Sequence, residues 1–292
     1  MKTSTERGFD LFTTGRIMKD RITIDIDNGV ADVRLIRADK MNALDPLMFQ
    51  ALAEAGETLS NNKAVRAVVL SGEGRAFCAG LDMANFAAMA DAGDADVTGD
   101  SGKGERKPLA ARSHGIANLA QHAAWVWREL PVPVIAAVHG VAFGGGFQVC
   151  LGADIRYAAP GTRMSIMEIK WGLVPDMAGT QLMRHLARDD VIRELTYTGR
   201  VFTAEEALNY GFVTQVVEDP RALALETAGQ IALRNPHAMR ANKRLFNEAN
   251  YLSAEAGLMM ESQEQDLIIG KPNQVEAVMA ELEKREPRFA DA

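Results

Sequence analysis

Two glycine-bearing stretches, each closing an apolar run, carry the first chemistry this sequence offers. In Ser71-Gly-Glu-Gly-Arg-Ala-Phe-Cys-Ala-Gly-Leu-Asp-Met83, small residues and Gly80 let the backbone approach a ligand closely just after a strand. In His139-Gly-Val-Ala-Phe-Gly-Gly-Gly-Phe-Gln148, a strand enters three glycines that begin a helix, and the free N–H groups of a helix start favour negative charge. Tight packing alone would account for a glycine run equally well. Gln148, which ends the second stretch, is a carboxamide; it can orient water or substrate but cannot accept a proton at neutral pH. The five histidines are scattered singly, and Cys78 and Cys150 lie in apolar or glycine-rich surroundings, so neither a metal site nor a disulfide framework is expected.

The elements that must position these stretches are legible from period and punctuation. Ile22, Ile24 and Ile26 alternate with polar residues, Asp27-Asn28-Gly29 supplies a turn, and alternation resumes from Val30 to Ile36, which predicts a hairpin. Asp45-Pro46 is an N-cap with a helix-compatible first position, ahead of a helix over Leu47 to Leu59. Val65 to Leu70 and Val132 to Val138 read as buried strands, and Ile116 to Leu130 has helical spacing. Between them, residues 84–115 have no sustained hydrophobic period and read as a mobile loop that could act as a lid. Further helix starts are expected at Thr203 with Glu206, at Asp219-Pro220 and at Asn235-Pro236, with Gly211 ending one helix.

A chain of 292 residues with 47% hydrophobic composition can bury a full core. Its formal net charge of −7 disfavours nucleic acid or an anionic membrane as the main partner, since both reward a basic excess. The polar start lacks a long apolar run, so the expectation is a cytoplasmic protein with a flexible leader over residues 1–20.

Taken together, the two glycine turns and Arg37-Ala-Asp-Lys-Met-Asn-Ala-Leu44 resemble the crotonase (enoyl-CoA hydratase/isomerase) superfamily. The resemblance continues through Ala153-Asp-Ile-Arg-Tyr157, through Met164 to Gln181 and through Tyr197 to Gly211. It implies an α/β fold, a ClpP-like spiral of ββα units over residues 21–218, with a C-terminal helical region over 219–292 that builds a homotrimer or a dimer of trimers. It also implies an acyl-CoA thioester substrate, with no cofactor beyond the coenzyme A that the substrate carries. The backbone amides of Leu81 and Gly145 would form an oxyanion hole for the thioester oxygen of an enolate. Ala38, Lys40, Ala79, Gly80, Asp82, Met83, Phe143, Gly144, Val174 and Pro175 would line the coenzyme A and acyl sites, with Lys243 and Phe246 near the nucleotide end. Phe86, Trp125 and Phe143 would form walls of the acyl pocket.

Hydratases of this family use two glutamates, and here the first position holds Gln148 while the second is Glu168. Asp176 stands where the hydratases usually have glycine, and Glu168 with Asp176 resembles the pair of the dienoyl-CoA isomerases. These isomerases carry an aspartate at the position of Gln148, whereas a single-glutamate isomerase needs only Glu168. The expectation is therefore a double-bond isomerase with catalytic Glu168 and Asp176, and with Gln148 positioning the acyl chain. Hydration of 2-enoyl-CoA and acyl-CoA binding without turnover are the alternatives, and Asp176 has a competing reading as the cap of a helix from Met177 to Leu186.

Overall fold

The computed structural model describes residues 16–84, Thr98 and residues 108–292. Phe86, most of the 84–115 loop and the first fifteen residues lie outside the described residues. The alternating residues near the start form β2 (Ile22–Asp27) and β3 (Val30–Leu35), paired antiparallel, with β1 (Arg16–Met18) antiparallel to β2 on its outer edge. Asn28 and Gly29 both take positive φ, 47° and 80°, as a two-residue hairpin turn requires. Residues assigned to the leader thus supply a strand. Its pairing satisfies the backbone edge of β2, and its last residue, Met18, is buried.

Helix α1 (Pro46–Ser60) begins where Asp45 accepts the Met48 N–H at 2.8 Å, and α2 (Leu119–Glu129) begins at a reciprocal Asn118–Gln121 capping box. Parallel strands β4 (Ala67–Gly72) and β5 (Val134–Val138) extend the sheet from β3. A short strand β6 (Val141–Phe143) then leads into α3 (Gly145–Leu151), and β7 (Ile155–Ala158) pairs parallel with β5. Two further strands, β8 (Arg163–Ser165) and β9 (Phe202–Thr203), join β6 in a three-stranded sheet, and β10 (Gln215–Val216) closes a seven-stranded sheet of order β1-β2-β3-β4-β5-β7-β10.

The helices between and after these strands are α4 (Gly179–Met183), α5 (Asp189–Thr198), α6 (Ala204–Tyr210), α7 (Pro220–Ala232), α8 (Pro236–Glu248), α9 (Ala254–Asp266) and α10 (Pro272–Glu283). The Thr203–Glu206 box starts α6 and Gly211, at φ 97°, ends it; Asp219 and Asn235 cap α7 and α8.

Both faces of the central strands are covered, which is why they read as unbroken apolar runs. Val68, Leu70, Val134 and Ala136 join the core shared with α1 and α2, whereas Ala67, Val69, Ile135 and Ala137 pack with Ala224 and Ala228 of α7. On the C-terminal helices and the link between them, Leu258, Met259, Leu267, Ile269 and Leu282 face outward in the single chain, and only Ile268 of the 267–269 run is buried. Among the described residues no helix is long and apolar enough to cross a membrane.

Candidate active site

The fold brings the two glycine turns side by side. Phe77 N–H donates to His139 O and Cys78 N–H to Val141 O, and Phe143 N–H donates back to Cys78 O at 3.1 Å, so residues 77–79 run along β6. Gly80, at φ 89°, has no room for a side chain: a Cβ there would stand 2.6 Å from Phe143 O and 3.8 Å from Gly145 N. The backbones of the two turns are therefore in contact. Gly145 is crowded by side chains rather than backbone, with a would-be Cβ 2.6 Å from Met177 Sδ and 2.7 Å from Leu44 Cδ1. The N–H groups of Leu81 and Gly145 have no acceptor among the described residues, and Gly145 is the first residue of α3, where the backbone donors point outward. Two unpaired amides on adjoining turns can hold an oxygen that gains negative charge. Gly80→Ala, which forces a Cβ onto Phe143 O at a positive φ, is expected to lower kcat at least about a hundredfold, the scale of losing one such donor; steady-state kinetics on the substrate identified below checks it.

Beside these amides, Glu168 and Gln148 form a buried pair, 9% and 1% exposed. Gln148 Nε2 donates to Glu168 Oε1 at 2.6 Å, while Gln148 Oε1 accepts the N–H groups of Met177 and Gly179 at 2.9 and 2.8 Å. Those two backbone donors fix the carboxamide orientation, since only its oxygen can accept them. Gln148 thus locks the Glu168 carboxylate to the 177–179 turn, in which Ala178 takes φ 65°. This corrects the expectation that Gln148 positions the acyl chain: its oxygen and one amide hydrogen are already committed within the protein. Glu168 Oε2 is buried with no partner. Burial first, and then the charge of Asp176, raise the Glu168 pKa against the opposing hydrogen bonds from its own backbone and Gln148.

Asp176 caps no helix. The following helix starts at Gly179 behind an Ala178 that makes no side-chain cap, so the capping reading is overturned. Asp176 is open to solvent yet crowded by protein on its other sides, as on a cleft wall, and this partial loss of water raises its pKa.

The remaining expected residues divide. Ala38 and Lys40 form a 3₁₀ turn against Gly74, with Lys40 exposed, and Ala79 N–H donates to Met41 O at 2.9 Å, which puts this turn next to the first glycine stretch. Met83 is 62% and Val174 70% exposed, Pro175 and Phe143 are half-buried, and Gly144 takes φ 49° with its N–H donated to Ser165 O. Asp82 is not free to meet a ligand. It is paired with Arg37 at 2.5 Å and accepts the Ala84 N–H; although burial opposes it, these two hold its pKa below the ordinary range. Lys243 is buried as well, 6% exposed and paired with Asp154 at 2.5 Å, whereas Phe246 on the same helix is 74% exposed. Trp125 packs against the core and lines a cleft with Leu182 and His185.

The profile of the enoyl-CoA hydratase/isomerase family matches residues 30–292. The chain belongs to the enoyl-CoA hydratase/isomerase family. It is 31% identical over 274 residues to a 1,2-epoxyphenylacetyl-CoA isomerase of Escherichia coli, covering 93% of this chain and 99% of that one. It is also 28% identical to the mitochondrial methylglutaconyl-CoA hydratase of Mus musculus, covering 90% and 80%. Among solved structures, an enoyl-CoA hydratase from Bacillus anthracis superposes with a TM-score of 0.81 at 29% identity, covering 92% of this chain and 98% of the other. These neighbours share the α/β crotonase fold.

Within this crotonase-fold site, sequence reasoning missed the residues that hold the first turn. Asn42 is fully buried at φ 55° and donates to Glu73 O and Ala76 O at 3.0 and 2.9 Å, and Arg37 links Asp82 to Asp45 across the same loop. A polar residue in an otherwise unremarkable turn gives no local signal of burial. The Asp154–Lys243 pair was missed for the same reason. Burial lowers the Lys243 pKa, and Lys243→Met leaves the Asp154 charge without its partner, so a loss of about 3–5 kcal/mol is expected in urea unfolding.

Proposed function

We propose that this chain is an acyl-CoA isomerase that moves a double bond by proton transfer through Glu168. The observation that carries this reading is the 2.6 Å contact between Glu168 and a carboxamide, which leaves one carboxylate rather than two in the buried clamp. Glu168, ionised, removes an allylic or vinylogous proton from the acyl chain through its unpartnered Oε2. The electron pair moves toward the thioester carbonyl, whose oxygen is held by the Leu81 and Gly145 amides. The protonated Glu168, or Asp176 for a longer transfer, returns a proton at the far end of the conjugated system, and the double bond has shifted with no net gain of atoms. Raised pKa values suit groups that must hold a proton between the two steps.

Relatives named isomerases support the reading, among them a Delta(3,5)-Delta(2,4)-dienoyl-CoA isomerase of Mus musculus at 29% identity. Hydration of a 2-enoyl-CoA is the second reading, favoured by the relatives named hydratases. Coenzyme A enters as part of the substrate, so no separate cofactor is proposed. The outward apolar residues of α9 and α10 are proposed to meet other copies of the chain in a trimer or a pair of trimers, with residues 21–218 as catalytic core and 219–292 as the assembling region.

The test is incubation with 3-enoyl-, 3,5-dienoyl- and 2-enoyl-CoA thioesters, following conjugation by ultraviolet absorbance and products by mass. A conjugated product of unchanged mass is expected. Gain of one water on the 2-enoyl substrate alone would replace the isomerase reading with hydration. Thioester binding without exchange of substrate protons into deuterated water would make the chain a binder rather than a catalyst.

A further inference from the structure

A second polar cleft opens one helical turn behind the Gln148 clamp. Helix α3 carries Gln148 in the clamp and Leu151 in the wall of this cleft, and α4 carries Gly179 in the clamp and Leu182 in the same wall. Leu151 and Leu182 each stand three residues beyond a clamp residue, about 4.5 Å along the helix axis. Its polar lining holds three side chains that can only donate, Trp125, Arg128 and Arg156, beside Asp154, Gln181, His185 and Tyr251, which can also accept. Trp125 lines the cleft, and its indole N–H is buried with no acceptor among the described residues. Arg156 is 5% exposed and gives Nε to Phe212 O and one Nη to Ala153 O, leaving its other Nη without an acceptor among the described residues. Among the described residues the Arg128 side chain reaches the Phe246 carbonyl, at 3.5 Å, and no other acceptor. His185 accepts from Arg184 Nε at its Nε2, so a neutral ring carries its proton on Nδ1.

One carboxylate lines the cleft among the described residues, Asp154, and it is already matched by Lys243 and the Val134 N–H. Arg156 feels the charge of Asp154, which Lys243 already meets, and Arg128 makes no ion pair among the described residues, in a chain whose overall charge is −7. Arg156 and the Trp125 N–H are buried donors with bonding capacity to spare in one cleft, and only an acceptor can satisfy them.

We propose that this cleft receives a carboxylate at the far end of the acyl group, so that the enzyme acts on acyl-CoA thioesters whose chain carries a second acid. This rests on the acyl-CoA reading of the Glu168 site: the thioester end lies at the Leu81 and Gly145 amides, and the chain passes Glu168 toward α3 and α4. The carboxylate accepts from Trp125 Nε1 and from Arg156 and is paired with Arg128. No bond is made or broken there, and the cleft sets which acyl group is bound.

The test compares 3-enoyl-CoA thioesters of matched length that end in a methyl group or in a carboxylate. In the unaltered enzyme the carboxylate-ended thioester is expected to have at least about tenfold higher kcat/KM, one good charge-assisted contact. Arg128→Met and Trp125→Phe are expected to bring that ratio toward one, chiefly through KM. A ratio of one or less in the unaltered enzyme, or a ratio that neither variant changes, would overturn the proposal while leaving the isomerase reading standing. If neither thioester is turned over, the isomerase reading fails by itself and binding decides: adipate should change the tryptophan fluorescence at concentrations where inorganic phosphate does not, and Arg128→Met should remove the change. An equal response to phosphate, or none to adipate, would show that the cleft does not select a carboxylate.

Discussion

Glu168→Gln is expected to lower turnover by about a hundred- to ten-thousandfold, the usual contribution of a positioned general base, while leaving thioester binding in place and the fold at least as stable at neutral pH. Glutamine keeps an oxygen to accept the 2.6 Å bond from Gln148 Nε2 but cannot take a proton. The stability half follows from the raised Glu168 pKa. Burial and the charge of Asp176 make the folded protein bind this proton more tightly than the unfolded chain does, so ionisation costs stability. That cost is absent below the unfolded pKa, grows as pH rises from the unfolded to the folded pKa, and is complete above the folded value. Glutamine has no such ionisation, so the thermal midpoint of the variant should exceed that of the unaltered protein above this window and match it at low pH. The same shift sets the activity profile of the unaltered enzyme: kcat/KM should rise with pH through a midpoint above that of an ordinary glutamate, because the base acts ionised. Full turnover by the variant would remove Glu168 from the mechanism.

Gln148 is the second position where a single change should have a large effect, and two substitutions separate its roles. Gln148→Leu keeps the bulk but strands the Met177 and Gly179 N–H groups and removes the bond to Glu168. At about 1–3 kcal/mol for each stranded donor, a loss of roughly 2–6 kcal/mol in urea unfolding is expected, together with a fall in kcat as the 177–179 turn and the Glu168 carboxylate lose their anchor. Gln148→Glu keeps an acceptor for both N–H groups, so the fold should survive. Two carboxyl groups at this distance cannot both ionise, and they would share a proton. The midpoint of the activity profile should then move up by about one pH unit or more. Water addition to 2-enoyl-CoA should also appear or increase, because the clamp would then hold the two carboxyl groups that a hydratase needs. An unchanged pH profile would mean that the contact with Glu168 is not made in solution.

Much of the scaffold was legible from neighbours in the chain. The Asn28-Gly29 turn, the Asp45-Pro46 start, the Thr203–Glu206 box and the two buried strands β4 and β5 all fell where local rules put them, because each depends on residues within about one turn. The family and its α/β fold were legible too, since the first glycine turn leaves no room for another residue: a Cβ at Gly80, at φ 89°, meets the Phe143 backbone oxygen at 2.6 Å. That constraint is visible as glycine in the sequence itself. Local spacing was less reliable where a residue's partner was distant. The competing reading of Asp176 as a helix cap gave way to a helix begun at Gly179, because the preceding turn is held from Gln148, on another helix.

What the tertiary structure alone decided is which polar groups are used up inside the protein. Lys243 and Asp154 are 89 residues apart in sequence, Arg37 and Asp82 45, and Gln148 and Glu168 20, and each pair is closed at 2.5 or 2.6 Å. The chemistry of a charged or amide side chain is written in its residue type. Whether it faces a substrate, a neighbour or water depends on burial and on partners that the crossing strands bring together, and a chain read in order carries no measure of either.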